Sequence, residues 1–177
     1  MKQWLPWAEI LLIILLAFFP LMGDVFPYRL NIFLSYEGAY RLYLGHVPYR
    51  DFGLPMGFTY WVVPAVFFKI FGPYMMSLVK AQVFLNIISG LAFRSILRNM
   101  SVTAGIRFLS ILLFCISYSF LNYWPWYNHT VIVYELISLA FLMKFIFPKP
   151  SGKRYIWLVL SAVFVFFSFF IEHVCHA

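Results

Sequence analysis

The sequence predicts an all-α, polytopic membrane protein, and three observations carry that expectation. Of the 177 residues, 64% are hydrophobic and only 11% are charged, whereas a water-soluble domain carries about a quarter charged residues. The mean hydropathy is +0.87. Runs approaching the roughly 20 apolar residues that cross a bilayer recur along the chain. Neither a two-residue alternation nor turn signals at strand spacing accompany them, so each run is expected to be helical.

The first run covers 7–23, beginning near Glu9 and closing with Pro20 and Gly23. Its basic start and apolar centre resemble a signal peptide, but no small-x-small cleavage site follows, so an uncleaved anchor is expected. A long connection then covers 24–72 and holds three of the six acidic residues, Asp24, Glu37 and Asp51. Inside it, "NIFLSYEGAYRLYL" sets Phe33, Tyr36, Tyr40, Tyr43 and Leu44 at helical spacing, with Glu37 and Arg41 four apart in the favourable order. A helix lying at the membrane interface is expected there.

The segment 56–72, "MGFTYWVVPAVFFKIFG", is short for a span and carries Pro64 and Lys69. Further apolar runs cover 73–97, 106–121, 131–147 and 155–171. Their connections alternate: "RNMSVTAGIR" and "PKPSGKR" are basic, while "NYWPWYNHT" is aromatic and uncharged. Basic loops belong in the cytoplasm. Both basic loops and Lys2 share that side only if 56–72 dips into the interface without crossing. The expectation is therefore about five transmembrane helices, two interfacial juxtamembrane helices, a cytoplasmic N-terminus and an outer loop at 24–72. The chain reads as a single membrane domain, 1–177, in a cell membrane of the bacterial inner or plasma type.

The formal charge of +7 is spread over short connections, which fits topology and not a nucleic-acid partner. Cys115 and Cys175 offer at most one bridge, so no disulfide framework is implied. His173, Cys175 and His176 lie close together, but three ligands at a chain end without a distant fourth do not make a metal site. No cofactor is expected.

Candidate chemistry collects in the outer loop. Ionisable groups at a membrane boundary are costly and tend to serve a purpose. Asp24, first after the opening run, could act as a base or simply end the helix at the water boundary. Glu37 could do the same or merely pair with Arg41. Asp51 could bind substrate, pair with Arg50 or cap a turn. Arg29, Arg41, Arg50 and Lys80 suit a phosphate leaving group, whose negative charge grows as its bond breaks, although Lys80 could instead snorkel. His129, with Trp124 and Trp126, could form a stacking surface for a sugar or headgroup, against the common alternative of an interfacial aromatic belt.

The phrase "GHVPYRDFGLPMG", leading into an aromatic segment that ends "FFKIFG" after an outer loop with two juxtamembrane helices, resembles the N-terminal part of GT-C glycosyltransferases. Protein O-mannosyltransferases and lipid A aminoarabinose transferases belong to that group. The likeness covers most of the chain in topology and is sharpest over 36–72. It implies transfer of a sugar from a polyprenyl-phosphate carrier to a glycan, lipid or protein acceptor on the outer face. It also implies a catalytic carboxylate in the first outer loop, with Asp24 the best match and Glu37 in "YEGAY" its competitor. Arg29, Arg41, Arg50, Asp51, Lys80 and His129 are the substrate-binding candidates. Many relatives place a second Asp in the next outer loop, where this chain has "YWPWYNH", so Asn128 or His129 would have to substitute. Relatives also carry more spans, so an incomplete module is expected. The alternative is a non-enzymatic multi-pass protein: a transporter subunit, lipid-binding module or assembly factor.

Overall fold

The computed structural model describes residues 5–22, 31–53, 57–117, 120, 122–147 and 154–172. Seven α-helices follow in order: α1 Leu5–Ala17, α2 Asn31–Tyr43, α3 Thr59–Phe71, α4 Met75–Asn99, α5 Ala104–Cys115, α6 Tyr127–Ile146 and α7 Arg154–Glu172. A 3₁₀ turn, Phe19–Met22, extends α1. Among the described residues there is no β-strand.

Three of these helices, α4, α6 and α7, are long and apolar enough to cross a membrane, fewer than the five expected. The shortfall falls on the first and third apolar runs. α1 has 13 residues and α5 has 12, and at 1.5 Å per residue each reaches about 20 Å against a hydrocarbon core of about 30 Å. α1 stops because Pro20 cannot continue its hydrogen-bond ladder, and the chain tightens into the 3₁₀ turn. α5 stops at Cys115, after which Ser117 turns back and donates its hydroxyl to the Phe114 carbonyl at 2.6 Å.

The central element is α4, which joins two cores. Leu78, Leu85, Ala92 and Ile96 belong to one core together with Trp61 and Phe68 of α3 and Val133 and Ile137 of α6. Val83, on another face of α4, packs with Ile13 of α1 and Ile111 of α5. Between helices in a bilayer, hydrophobic transfer contributes little and pairing rests on close packing and polar contacts. Gly90 shows the first: a Cβ there would lie 2.7 Å from Ile13 Cγ2, so only glycine lets α1 cross this closely. Ser138 and Ser161 show the second, their hydroxyls 2.9 Å apart across the antiparallel α6–α7 pair.

α3 has both its ends at one end of the bundle. At its start, Gly57 donates its N–H to the Ile171 carbonyl at 3.0 Å, and Thr59 Oγ1 donates to Phe167 O at 2.8 Å. The Ile171 carbonyl belongs to the last turn of α7 and has no N–H partner within that helix, whereas Phe167 O, one turn earlier, accepts the Thr59 hydroxyl in addition to its place in the helical ladder. Tyr134 Oη of α6 in turn donates to Thr59 O at 3.2 Å. At its finish, Gly72 takes φ +85° and returns its N–H to Phe68 O, and the chain passes through Pro73 straight into α4. α2 packs along α3, with Gly38 against the Trp61 indole so closely that a Cβ would overlap the ring. Neighbouring residues of α2 also fasten it to the segments leading into α4 and α6: Tyr36 Oη donates to Pro73 O at 2.7 Å and Ser35 Oγ to Pro125 O at 2.7 Å.

Candidate functional site

α2, α3 and the turn between them form the platform on which most of the sequence-derived candidates fall. α2 ends in a Schellman arrangement: Gly45, at φ +87°, donates to Leu42 O at 3.1 Å, and His46 donates to Arg41 O at 3.0 Å. Its tyrosines run as a ladder, with Tyr36–Tyr40 centroids 5.8 Å apart and Tyr40–Tyr43 centroids 6.0 Å apart. Burial pushes the Tyr36 phenol up from its ordinary pKa, with smaller contributions from Tyr40 and Glu37. Phe33 and Leu44, expected on the same face, are exposed. The buried face of α2 runs instead through Ile32, Ser35 and Ala39.

Glu37 Oε1 accepts from Arg41 Nε at 2.6 Å, and both side chains are partly exposed. No described residue donates to Glu37 Oε2. Arg41 also lies over the Phe52 ring, 5.5 Å from its centroid, and Phe52 packs on Trp61. The ion pair is thus stacked on the aromatic floor of the platform.

The "PYRDFG" phrase closes on itself. Asp51 Oδ2 accepts the Val47 N–H at 2.7 Å. Arg50 grips the same carboxylate as a fork, Nε to Oδ1 at 2.8 Å and Nη2 to Oδ2 at 2.9 Å. Tyr49 adopts φ +64°, its N–H reaches Phe52 O at 2.9 Å, and its ring meets Phe58 edge-on. Arg50 and then the Val47 amide hold the Asp51 carboxyl well below the usual carboxylate range, and Asp51 raises Arg50 in return. Both Asp51 oxygens are therefore occupied, while the Arg50 side chain stays 71% exposed.

The remaining candidates are scattered. Lys80 Nζ sits 4.0 Å from the Phe71 centroid, a cation–π contact between α4 and α3. His129, expected in an outer loop, lies in the first turn of α6 and is fully buried. Its Nδ1 is 3.5 Å from Gln82 Nε2 of α4. Trp124 is buried too, so neither side chain contributes to an exposed stacking surface; Asn128 alone of that group is exposed. Asp24, Arg29, His173, Cys175 and His176 lie outside the described residues. Among the described residues, no three of His, Cys, Asp or Glu come together.

Two polar clusters were not singled out from sequence. At the opposite end of the bundle, Glu9 of α1 is fully buried between Arg94 of α4 and Arg107 of α5, accepting from their Nε atoms at 2.7 Å and 2.6 Å. Inside the bundle, Gln82 Nε2 donates to Asn86 Oδ1 at 2.8 Å, next to His129. A lone carboxylate within an apolar run, and amides spaced four apart in another, were the available signals. Neither names its partner.

No protein-family model matches the chain, and no curated protein or solved structure matches it either.

Proposed function

We propose that the chain is a membrane-embedded glycosyltransferase module of the GT-C kind, moving a sugar from a polyprenyl-phosphate carrier to an acceptor at the non-cytoplasmic face. The observation that supports this reading is the position of α3, which starts against the last turns of α7 and finishes at the start of α4. Such a helix lies across one end of the bundle together with α2, as two juxtamembrane helices would. Cations fit the sidedness. Arg94, Arg98, Arg107, Lys144 and Arg154 belong to the other end, which the positive-inside rule assigns to the cytoplasm of a bacterial-type inner membrane.

Glycosyl transfer passes through an oxocarbenium-like state, requiring a base on the acceptor side and cations on the departing phosphate. Glu37 keeps Oε2 open on the platform, so it fits the base better than Asp51, whose oxygens are both engaged. Asp24, outside the described residues, is the alternative base. Arg50 turns an exposed guanidinium outward and suits the carrier phosphate, with Arg29, Arg41 and Lys80 as further cations.

A second reading is favoured by one observation. Each described carboxylate of the platform already has its own arginine, Glu37–Arg41 and Asp51–Arg50, as in a non-enzymatic multi-pass protein whose loop only anchors it. Binding of undecaprenyl phosphate to the reconstituted full chain separates the two. The transferase reading expects Arg50→Ala to weaken binding. It also expects Glu37→Gln or Asp24→Asn to lower transfer from a loaded carrier by about 10²-fold or more. Binding indifferent to all three substitutions would sink it.

A further inference from the structure

We propose that Arg94 and Arg107, bridged by Glu9, form a binding site for the phosphodiester headgroup of an anionic lipid at the basic end of the bundle. The cluster carries two positive charges against one negative, and all three side chains are nearly withdrawn from solvent, at 10%, 13% and 0% exposure. A net charge in so dry a place is costly until an anion compensates it. The hydrogen-bond inventory leaves room for that anion. Each guanidinium gives Nε to Glu9, Arg94 gives Nη2 to Pro6 O at 3.2 Å, and Arg107 gives Nη1 to Val102 O at 3.3 Å. Arg94 Nη1 and Arg107 Nη2 meet no acceptor among the described residues. A phosphate diester offers the oxygens that two guanidinium edges recognise best.

The surroundings favour a lipid over a free anion. Trp7 and Leu11 of α1, with Ile106 and Leu109 of α5, are exposed apolar side chains on the two helices that carry Glu9 and Arg107. They give the outer faces of α1 and α5 apolar surface for acyl chains at the level of the cluster. Two other cations of this end are already engaged: Lys144 lies 4.6 Å from the Trp157 ring centroid and Arg154 lies 4.7 Å from that of Phe145.

The test uses the full chain in nanodiscs, with lipid retention read by native mass spectrometry. Wild-type protein is expected to retain phosphatidylglycerol at least about fivefold over phosphatidylcholine, the ratio expected for one such charge at a membrane surface. Glu9→Gln should increase that preference. The neutral triple variant E9Q/R94Q/R107Q should abolish it, while K144Q/R154Q, which removes charge from the same end, should leave it within about twofold. Equal retention of the two lipids by the wild type would overturn the proposal. So would an equal loss in K144Q/R154Q, which would assign the preference to diffuse charge. Millimolar inorganic phosphate is expected to compete with the retained lipid in the wild type, whereas phosphate that binds equally well in the triple variant overturns the site.

Discussion

Glu9 and Arg107, separated by 98 positions in sequence, meet at 2.6 Å in the interior of the bundle. Arg94 closes the same carboxylate from α4, so three helices are fixed by one buried group. Truncating one partner of a buried ionic cluster leaves the others charged and unpaired. Glu9→Ala is therefore expected to destabilise the chain by about 3–5 kcal/mol, measured by reversible unfolding in mixed micelles. The neutral triple variant E9Q/R94Q/R107Q should lie much closer to wild type. An alanine variant as stable as wild type would show that the triad does not hold these helices.

Gly38 faces the Trp61 indole with no space for a methyl group. Gly38→Ala should force α2 away from α3, costing about 1–3 kcal/mol through overpacking, and should raise the solvent exposure of Trp61. Tryptophan fluorescence quenching reads this directly; unchanged quenching would contradict the packing described.

The Asp51 turn has a definite pH dependence. Its carboxyl is lowered in the folded turn by the Arg50 fork and the Val47 amide, so the stability it contributes is fully present above the ordinary carboxylate value of about 3.9. That stability is lost as pH falls through the lower folded value. Hydrogen exchange at the Val47 amide should stay slow at pH 4 and quicken only in stronger acid. In Arg50→Gln the midpoint should move up towards the ordinary value. Loss of Val47 protection already at pH 5 in the wild type would disprove this.

Gln82 and Asn86 are worth more as a pair than their separate substitutions imply. Gln82 Oε1 and Asn86 Nδ2 are buried with no hydrogen-bond partner among the described residues, which offsets much of what their mutual bond contributes. Asn86→Leu alone removes the acceptor of Gln82 Nε2, leaving it only the long contact to His129, and should cost about 1–3 kcal/mol. The double variant Q82L/N86L should cost less than that single one. Unfolding in micelles decides it, and simple additivity of the two changes would refute the account.

Helix identity was legible from apolar periodicity, and α2 fell almost where its tyrosine spacing put it, ending at Tyr43 just before Gly45. Span count was less legible, because hydropathy does not register where Pro20 and Ser117 interrupt a helix. The loop pair Arg50–Asp51 was legible as a local alternative, since neighbours in a Pro- and Gly-flanked turn need no distant information. His129 was misplaced because "WYNHT" reads as a loop, while the helix of α6 begins at Tyr127 and turns His129 inward onto Gln82. The Glu9 cluster was beyond reach for a related reason: its three members come from separate helices, and only packing around α4 brings them together.

The clasp of Gly57 and Thr59 onto Ile171 and Phe167 has a consequence for biogenesis. Translation delivers α3 long before α7 leaves the ribosome, so the nascent chain must hold its first turn without its final acceptors until the seventh helix arrives. The first turn of α3 therefore reaches its full set of hydrogen bonds only once α7, about a hundred residues further along, has been made.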